Sequence, residues 1–317
     1  MTRTAEPPPD ESFASGVDGT RLYVHTAGAR PGSGPSAVPP ASVTAVFSDG
    51  ILCDGFIWKY LWESVGERMP VAHWHYRGHG RSANPVDPDA IDIGAHAHDL
   101  DLVRRHVGDP DVVLFGHSMG CQVALEGYRV RPDRVRGLVL LCGSYGRVTE
   151  TFKGTRVLAQ VLPGLIEKVI SRQNLARALW SRIPPEMSLK IALMTGEIDT
   201  KTIRPEDMLP YMQHLSHVDF PMFLRMLRAA GEHTAEDLLP SITCPVLIVA
   251  GERDSFTPAF LAEDMHRMIP GSELFVLPGG THVAPLEQRE LVNLRIDKFL
   301  RDRVLAPVPA ITADAGA

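Results

Sequence analysis

No apolar run in this 317-residue chain approaches the ~18 residues that a membrane-spanning helix needs. Cysteine is scarce. The four residues, at 53, 121, 142 and 244, are too widely spaced to act together as zinc ligands. Three lie in or beside apolar segments, where cysteine packs as a small core residue. The thiols are therefore expected to be reduced and the protein cytoplasmic. The first 20 residues hold Pro7-Pro8-Pro9 and no apolar stretch, which predicts no secretory leader. Neither sign of charge dominates. A net charge of −6 gives no footprint for nucleic acid or an anionic membrane. The basic cluster Arg129, Arg131, Arg134 and Arg136 falls where a helix ends, and reads as solvated surface. No strand is followed by a dinucleotide or phosphate loop. His73-x-His75 with His79, and His96-x-His98-Asp99, lack further ligands at usable spacing, so no metal and no cofactor are expected.

What is there is an ordinary globular composition, 44% hydrophobic and 22% charged, in a chain long enough for a sizeable core. Short apolar strands alternate with helical periods. Strands are expected at Leu22–Thr26, Ser42–Phe47, Val71–Tyr76, Asp111–Phe115, Val135–Cys142, Val246–Ala250 and Leu274–Leu277. Helices are expected at 56–66, 94–107, from Ser118 to about Arg131, at 259–269 and at 286–303. This alternation implies an α/β fold with a parallel sheet covered on both faces. Residues 147–240 contain no convincing strand. Leu158, Val161, Leu165, Ile166 and Val169 are helically spaced there, so this segment reads as a helical insert over the sheet. The expected organisation is a disordered tail at 1–14, a core of 15–146 and 241–303 broken by the insert, and a second disordered tail at 304–317. Residues 29–42, nearly all Pro, Gly, Ser and Ala, read as a flexible loop.

The most informative segment is Gly116-His117-Ser118-Met119-Gly120, set between the apolar strand 111–115 and a helix. A serine hydroxyl is a weak nucleophile at neutral pH and needs an adjacent base. Small residues at 116 and 120 let strand and helix close up, so that Ser118 is pushed out above the sheet. The helix N-terminus adds backbone N–H donors for a developing oxyanion.

Ligands and catalytic groups gather at the carboxyl edge of a parallel sheet. The two strands after the insert end in Gly251-Glu252-Arg253-Asp254 and Pro278-Gly279-Gly280-Thr281-His282. His282 is the candidate base for Ser118, and Asp254 the candidate acid that orients it. Glu252 is the competing carboxylate. The preceding strand end, Cys142-Gly143-Ser144-Tyr145, offers none.

The serine, acid, histidine order, with these motifs and the run Arg77-Gly78-His79-Gly80-Arg81-Ser82, resembles the α/β-hydrolase fold over about residues 15–303. His75 stands where that last motif usually has aspartate. The resemblance implies an eight-stranded, mostly parallel sheet with helices on both faces, and a helical cap inserted after strand six. It also implies an oxyanion hole formed by the backbone N–H groups of Ile51 and Met119. The supporting run is Phe47-Ser48-Asp49-Gly50-Ile51, followed by Trp58. Asp49 replaces the usual histidine there. A carboxylate so close to the hole needs neutralising, and Arg77 is the candidate partner.

The activity these features imply is that of a serine hydrolase cleaving an apolar carboxylic ester or lactone through an acyl-enzyme. Trp58, Met222 and Phe223 are candidate pocket residues. A serine at 118 argues against the dehalogenase and epoxide hydrolase branches, which resemble this fold but use aspartate. Carbon–carbon bond hydrolases, acyl transferases and perhydrolases resemble it with the same triad. A binding protein that keeps the fold without turnover is the alternative outside enzymes.

Overall fold

The computed structural model describes residues 10–28, 43–151, 156–180, 182, 184, 187, 198–199, 201–215 and 219–305. The expected loop at 29–42 and the outer parts of both expected tails lie outside these residues. Eight strands form one sheet: β1 Glu11–Ser15, β2 Arg21–Ala27, β3 Val43–Ser48, β4 Val71–Trp74, β5 Asp111–His117, β6 Val135–Leu141, β7 Val246–Gly251 and β8 Glu273–Leu277. Their spatial order is β1-β2-β4-β3-β5-β6-β7-β8. Pairing is antiparallel for β1 with β2 and β2 with β4, and parallel elsewhere.

The central strands are apolar on both faces because both faces are covered. On β5, Val112 and Leu114 enter one hydrophobic core, while Val113 and Phe115 enter the other. The helices α1 Lys59–Gly66, α2 Ile93–His106 and α3 Met119–Val130 follow β3, β4 and β5 in turn. Asp92 caps α2 by accepting the Ala95 N–H at 2.7 Å.

Between β6 and β7 the described residues form α4 Val148–Thr151, α5 Val157–Ser171, α6 Gln173–Trp180, α7 Pro205–Leu215 and α8 Phe220–Glu232, with no strand. These helices reach the loops at the carboxyl edge of the sheet. Asp207 of α7 bonds Lys59 and Tyr60, which follow β3. His214 pairs with Asp54 at 3.4 Å. Met222 of α8 packs so closely on Gly78 that a Cβ there would sit 2.4 Å from its sulfur. Helices α7 and α8 therefore touch the loops that follow β3 and β4. The last described elements are α9 Ala259–Met268, α10 Ala284–Glu287, α11 Arg289–Phe299 and a π turn at Leu300–Val304.

Both tail boundaries are corrected. Val304 and Leu305, expected in the second tail, end the π turn and pack against the core. Residues 11–14, read as disordered, belong to edge strand β1. The segment Glu-Ser-Phe-Ala-Ser has too little apolar alternation to announce a strand. It is held by distant groups: β2 in register, the Arg21 guanidinium over the Phe13 ring at 3.7 Å, and Arg81 on Glu11 at 2.5 Å. All four cysteines are free thiols, and no described helix is long and apolar enough to cross a membrane.

Candidate active site

Ser118 sits on the single residue between β5 and α3, with φ 56° and ψ −121°. A non-glycine residue held at positive φ stores strain, and close packing of its neighbours enforces it. A Cβ on Gly116 would fall 2.3 Å from the Gly120 carbonyl oxygen, and one on Gly120 would fall 2.1 Å from that of Ser48. Only glycine lets strand, turn and β3 approach this closely. Ser118 N–H donates to the Leu141 carbonyl at 3.0 Å, tying the turn to β6.

The three side chains at the ends of β5, β7 and β8 come together. Ser118 Oγ lies 3.0 Å from His282 Nε2, and His282 Nδ1 lies 2.8 Å from Asp254 Oδ2. Asp254 is buried and its remaining lone pairs are occupied. Oδ1 accepts the N–H groups of Phe256 and Thr257, both at 2.9 Å, and Oδ2 accepts the Thr257 hydroxyl at 2.8 Å. The carboxylate therefore has one orientation. The competing Glu252 is exposed and serves the turn instead, accepting the Gly279 N–H at 2.7 Å.

Two supporting residues were not singled out from the sequence. Glu287, buried on α10, accepts the Thr281 N–H at 3.0 Å, the Thr281 hydroxyl at 2.8 Å and the Asp199 N–H at 2.7 Å, which fixes the loop carrying His282. His117 is buried beside Ser118, and its Nε2–H donates to the His282 carbonyl at 3.0 Å. Burial, then the neighbouring His282, pushes its pKa down to about 4, so it is neutral at pH 7. Glu287 lies five residues past His282, a local spacing a sequence reading could have used. His117 gives no such signal.

Gly50 packs directly on Ser118, since a Cβ there would be 3.1 Å from Ser118 Cβ. The amides of Ile51 and Met119 flank this contact in sequence. Among the described residues neither has a protein acceptor.

The expected partnership of Asp49 with Arg77 is not formed. The Arg77 guanidinium is buried against α2, where Nε and Nη2 hold Asp99 at 2.6 and 2.7 Å, with further bonds to Asp18 and the Ala90 carbonyl. A buried guanidinium requires this bidentate geometry, and Asp99 supplies it. Asp49 is instead satisfied by Trp58 Nε1–H at 2.7 Å and His73 Nε2 at 2.8 Å. Burial alone would raise its pKa, but the charge and hydrogen bond of His73, with His75 and Trp58, hold it below the usual carboxylate range.

The expected pocket residues are placed differently from one another. Trp58 is buried, engaged with Asp49, and lines a separate histidine-rich chamber. Met222 is buried against the Gly78 turn, and Phe223 is half-buried on α8 beside Phe220. No group of three or more His, Cys, Asp or Glu among the described residues is arranged to hold a metal ion.

Comparison with known proteins agrees with this architecture. A 2-hydroxy-6-oxononadienedioate/2-hydroxy-6-oxononatrienedioate hydrolase of a Pseudomonas species is 30% identical over 209 residues, covering 65% of this chain and 69% of that protein. An esterase from Exiguobacterium antarcticum superposes with a TM-score of 0.70 at 24% identity, covering 91% of this chain and 98% of its own. The enol-lactonase from Burkholderia xenovorans LB400 superposes with a TM-score of 0.69 at 17% identity, covering 91% and 99%. Residues 21–294 match the alpha/beta hydrolase family model, and the chain belongs to that family.

Proposed function

We propose that this hydrolase cleaves a carboxylic ester or lactone, with Ser118 as nucleophile, His282 as general base and then acid, and Asp254 as its orienting partner. The observation that carries the reading is the continuous pair of contacts Ser118 Oγ to His282 Nε2 and His282 Nδ1 to Asp254 Oδ2. As Ser118 Oγ bonds to the substrate carbonyl carbon, its proton passes to His282 Nε2. The carbonyl oxygen takes the negative charge and is received by the amides of Ile51 and Met119. Collapse expels the alcohol, which leaves with the proton from His282. Water then attacks the acyl-enzyme, giving its proton to the same nitrogen, and Ser118 leaves protonated. The helices at 147–240 serve as a cap on the core of 15–146 and 241–303, setting substrate size without joining the chemistry.

The solved esterase and lactonase neighbours favour an ester or lactone bond. The Pseudomonas relative, whose named substrate contains no ester, favours a second reading as a carbon–carbon bond hydrolase with the same three residues. Turnover of p-nitrophenyl esters from acetyl to dodecanoyl, beside a vinylogous diketone acid, separates them. The ester reading predicts turnover of the esters that Ser118→Ala abolishes. Turnover of the diketone alone would replace it with the second reading.

A further inference from the structure

Resting on that reading, we propose that Asp49 and His73 are a positioning pair for the oxyanion loop, and that the chamber behind His73 lets a small imidazole reach the pair. A carboxylate one residue before Gly50 and two before Ile51 is an unexpected choice. Negative charge there opposes the charge developing on the substrate oxygen. Where that carboxylate points decides its effect.

Asp49 is fully buried, and each of its three oxygens has a partner. Oδ1 takes Trp58 Nε1–H at 2.7 Å, and Oδ2 takes His73 Nε2 at 2.8 Å. The main-chain oxygen takes the Tyr76 hydroxyl at 2.8 Å. Three residues on, the Leu52 N–H donates to His79 Nε2 at 3.2 Å, and Leu52 is held at φ 64°. Thus the loop is tied at 49 and at 52, and the Ile51 amide between them is left for a ligand.

The sheet order sets the direction of the charge. β4 lies on the side of β3 opposite to β5, and His73 on β4 pairs in register with Phe47. The contact with His73 therefore draws the carboxylate toward β4 and away from Ser118 on the β5 side. His73 and Trp58 place an N–H donor on each carboxylate oxygen, so the charge is met without a cation entering the active site.

His73 has a second environment. It lines a chamber of about 510 Å³ with Trp58, Trp62, His75, Tyr23 and His214 among the other walls. Ser118, Asp254 and His282 do not line it. The backbone presses on the rings, since a Cβ on Gly55 would sit 2.8 Å from His73 Cε1 and one on Gly80 2.2 Å from His75 Nδ1. These contacts give the imidazoles fixed orientations. Removing the His73 ring would join the chamber to the Asp49 carboxylate, leaving a gap shaped for free imidazole.

The test uses the full chain and a p-nitrophenyl ester, with Ser118→Ala run in parallel to give the imidazole-catalysed background. Misplacement of a reacting group by about 1 Å costs on the order of 100-fold, so Asp49→Ala and His73→Ala should each lose about that in kcat with KM held within about threefold. Free imidazole should restore His73→Ala to within about tenfold of wild type and leave Asp49→Ala unchanged. Trp58→Phe keeps an aromatic ring and removes the donor to Asp49 Oδ1. It should lose about tenfold in kcat at constant KM and tests the hold on Asp49 if His73→Ala fails to fold, when a wild-type kcat in Trp58→Phe would overturn the pair. Wild-type kcat in Asp49→Ala, or a folded His73→Ala whose loss imidazole does not relieve, overturns the pair. Wild-type turnover by Ser118→Ala overturns the serine reading and the pair with it.

Discussion

The imidazole of His117 donates to the main-chain carbonyl of His282 at 3.0 Å, so the residue before Ser118 holds the residue that faces it. The two strand ends are thereby locked by a bond that does not use either reacting atom. His117 is buried and neutral, which suits a fixed donor and not a proton carrier. His117→Phe keeps the ring and loses the bond. It should lower kcat by roughly tenfold through loss of alignment, with the pH–rate profile unshifted. A shifted profile would mean that His117 itself exchanges protons during turnover.

Asp254 and Glu252 differ in what their oxygens hold. Asp254→Asn should leave the fold intact and lower kcat by roughly 10⁴, because the amide no longer selects the His282 tautomer. Glu252→Gln should stay within about threefold of wild type, since its exposed side chain accepts the Gly279 amide in the turn and does not touch His282. Steady-state kinetics with one ester decides the matter. A larger loss in Glu252→Gln would reverse the assignment.

Stability should fall as pH drops from neutral. Burial pushes His75 and His96 down to about 3, and His79 and His117 down to about 4. In the unfolded chain each takes a proton near pH 6.5. Below that value the unfolded state binds more protons, so stability rises with pH and is lost as pH falls through about 6.5 toward about 4, at up to ~1.4 kcal/mol per pH unit for each proton. His96 lies against the Tyr76 ring at 4.6 Å, so His96→Phe keeps the ring contact and removes one of these protons. Urea unfolding midpoints between pH 7 and pH 5 should show a shallower slope in this variant. An unchanged slope would show that His96 is protonated in the folded protein.

The insert should set acyl preference. Each methylene buried beneath it contributes up to about 0.8 kcal/mol, so kcat/KM should rise with acyl length and fall once the space is filled. Met222→Ala with Phe223→Ala should move the optimum to longer chains. The acetyl-to-dodecanoyl series measures this directly. A flat profile in both proteins would remove the insert from specificity.

The parts of this molecule that could be read from sequence are those encoded locally. Ser118 lies between an apolar strand and a helix, and Asp254 and His282 follow apolar strands in a defined order, so local pattern and chain order were enough to expect these side chains at one edge of the sheet. The choice of partner for Asp49 could not be read. Arg77 and His73 lie a few residues apart on one chain segment. Only the lateral placement of β4 beside β3, and of Asp99 on α2, decides which of them meets which carboxylate. β1 was missed for a related reason, because its stability comes from β2 and from Arg81, far along the chain. Thr257 was within reach, since it caps the Asp254 carboxylate three residues on.

Activation of Ser118 by His282 is measured by exposing the protein to a fluorophosphonate and locating the adduct by peptide mass spectrometry. One adduct per chain is expected, on Ser118, formed quickly in wild type and absent from Ser118→Ala, with His282→Ala slowed by orders of magnitude. An unlabelled wild-type protein, or an adduct on another residue, would contradict this activation and leave the fold as a scaffold for binding or for a different nucleophile.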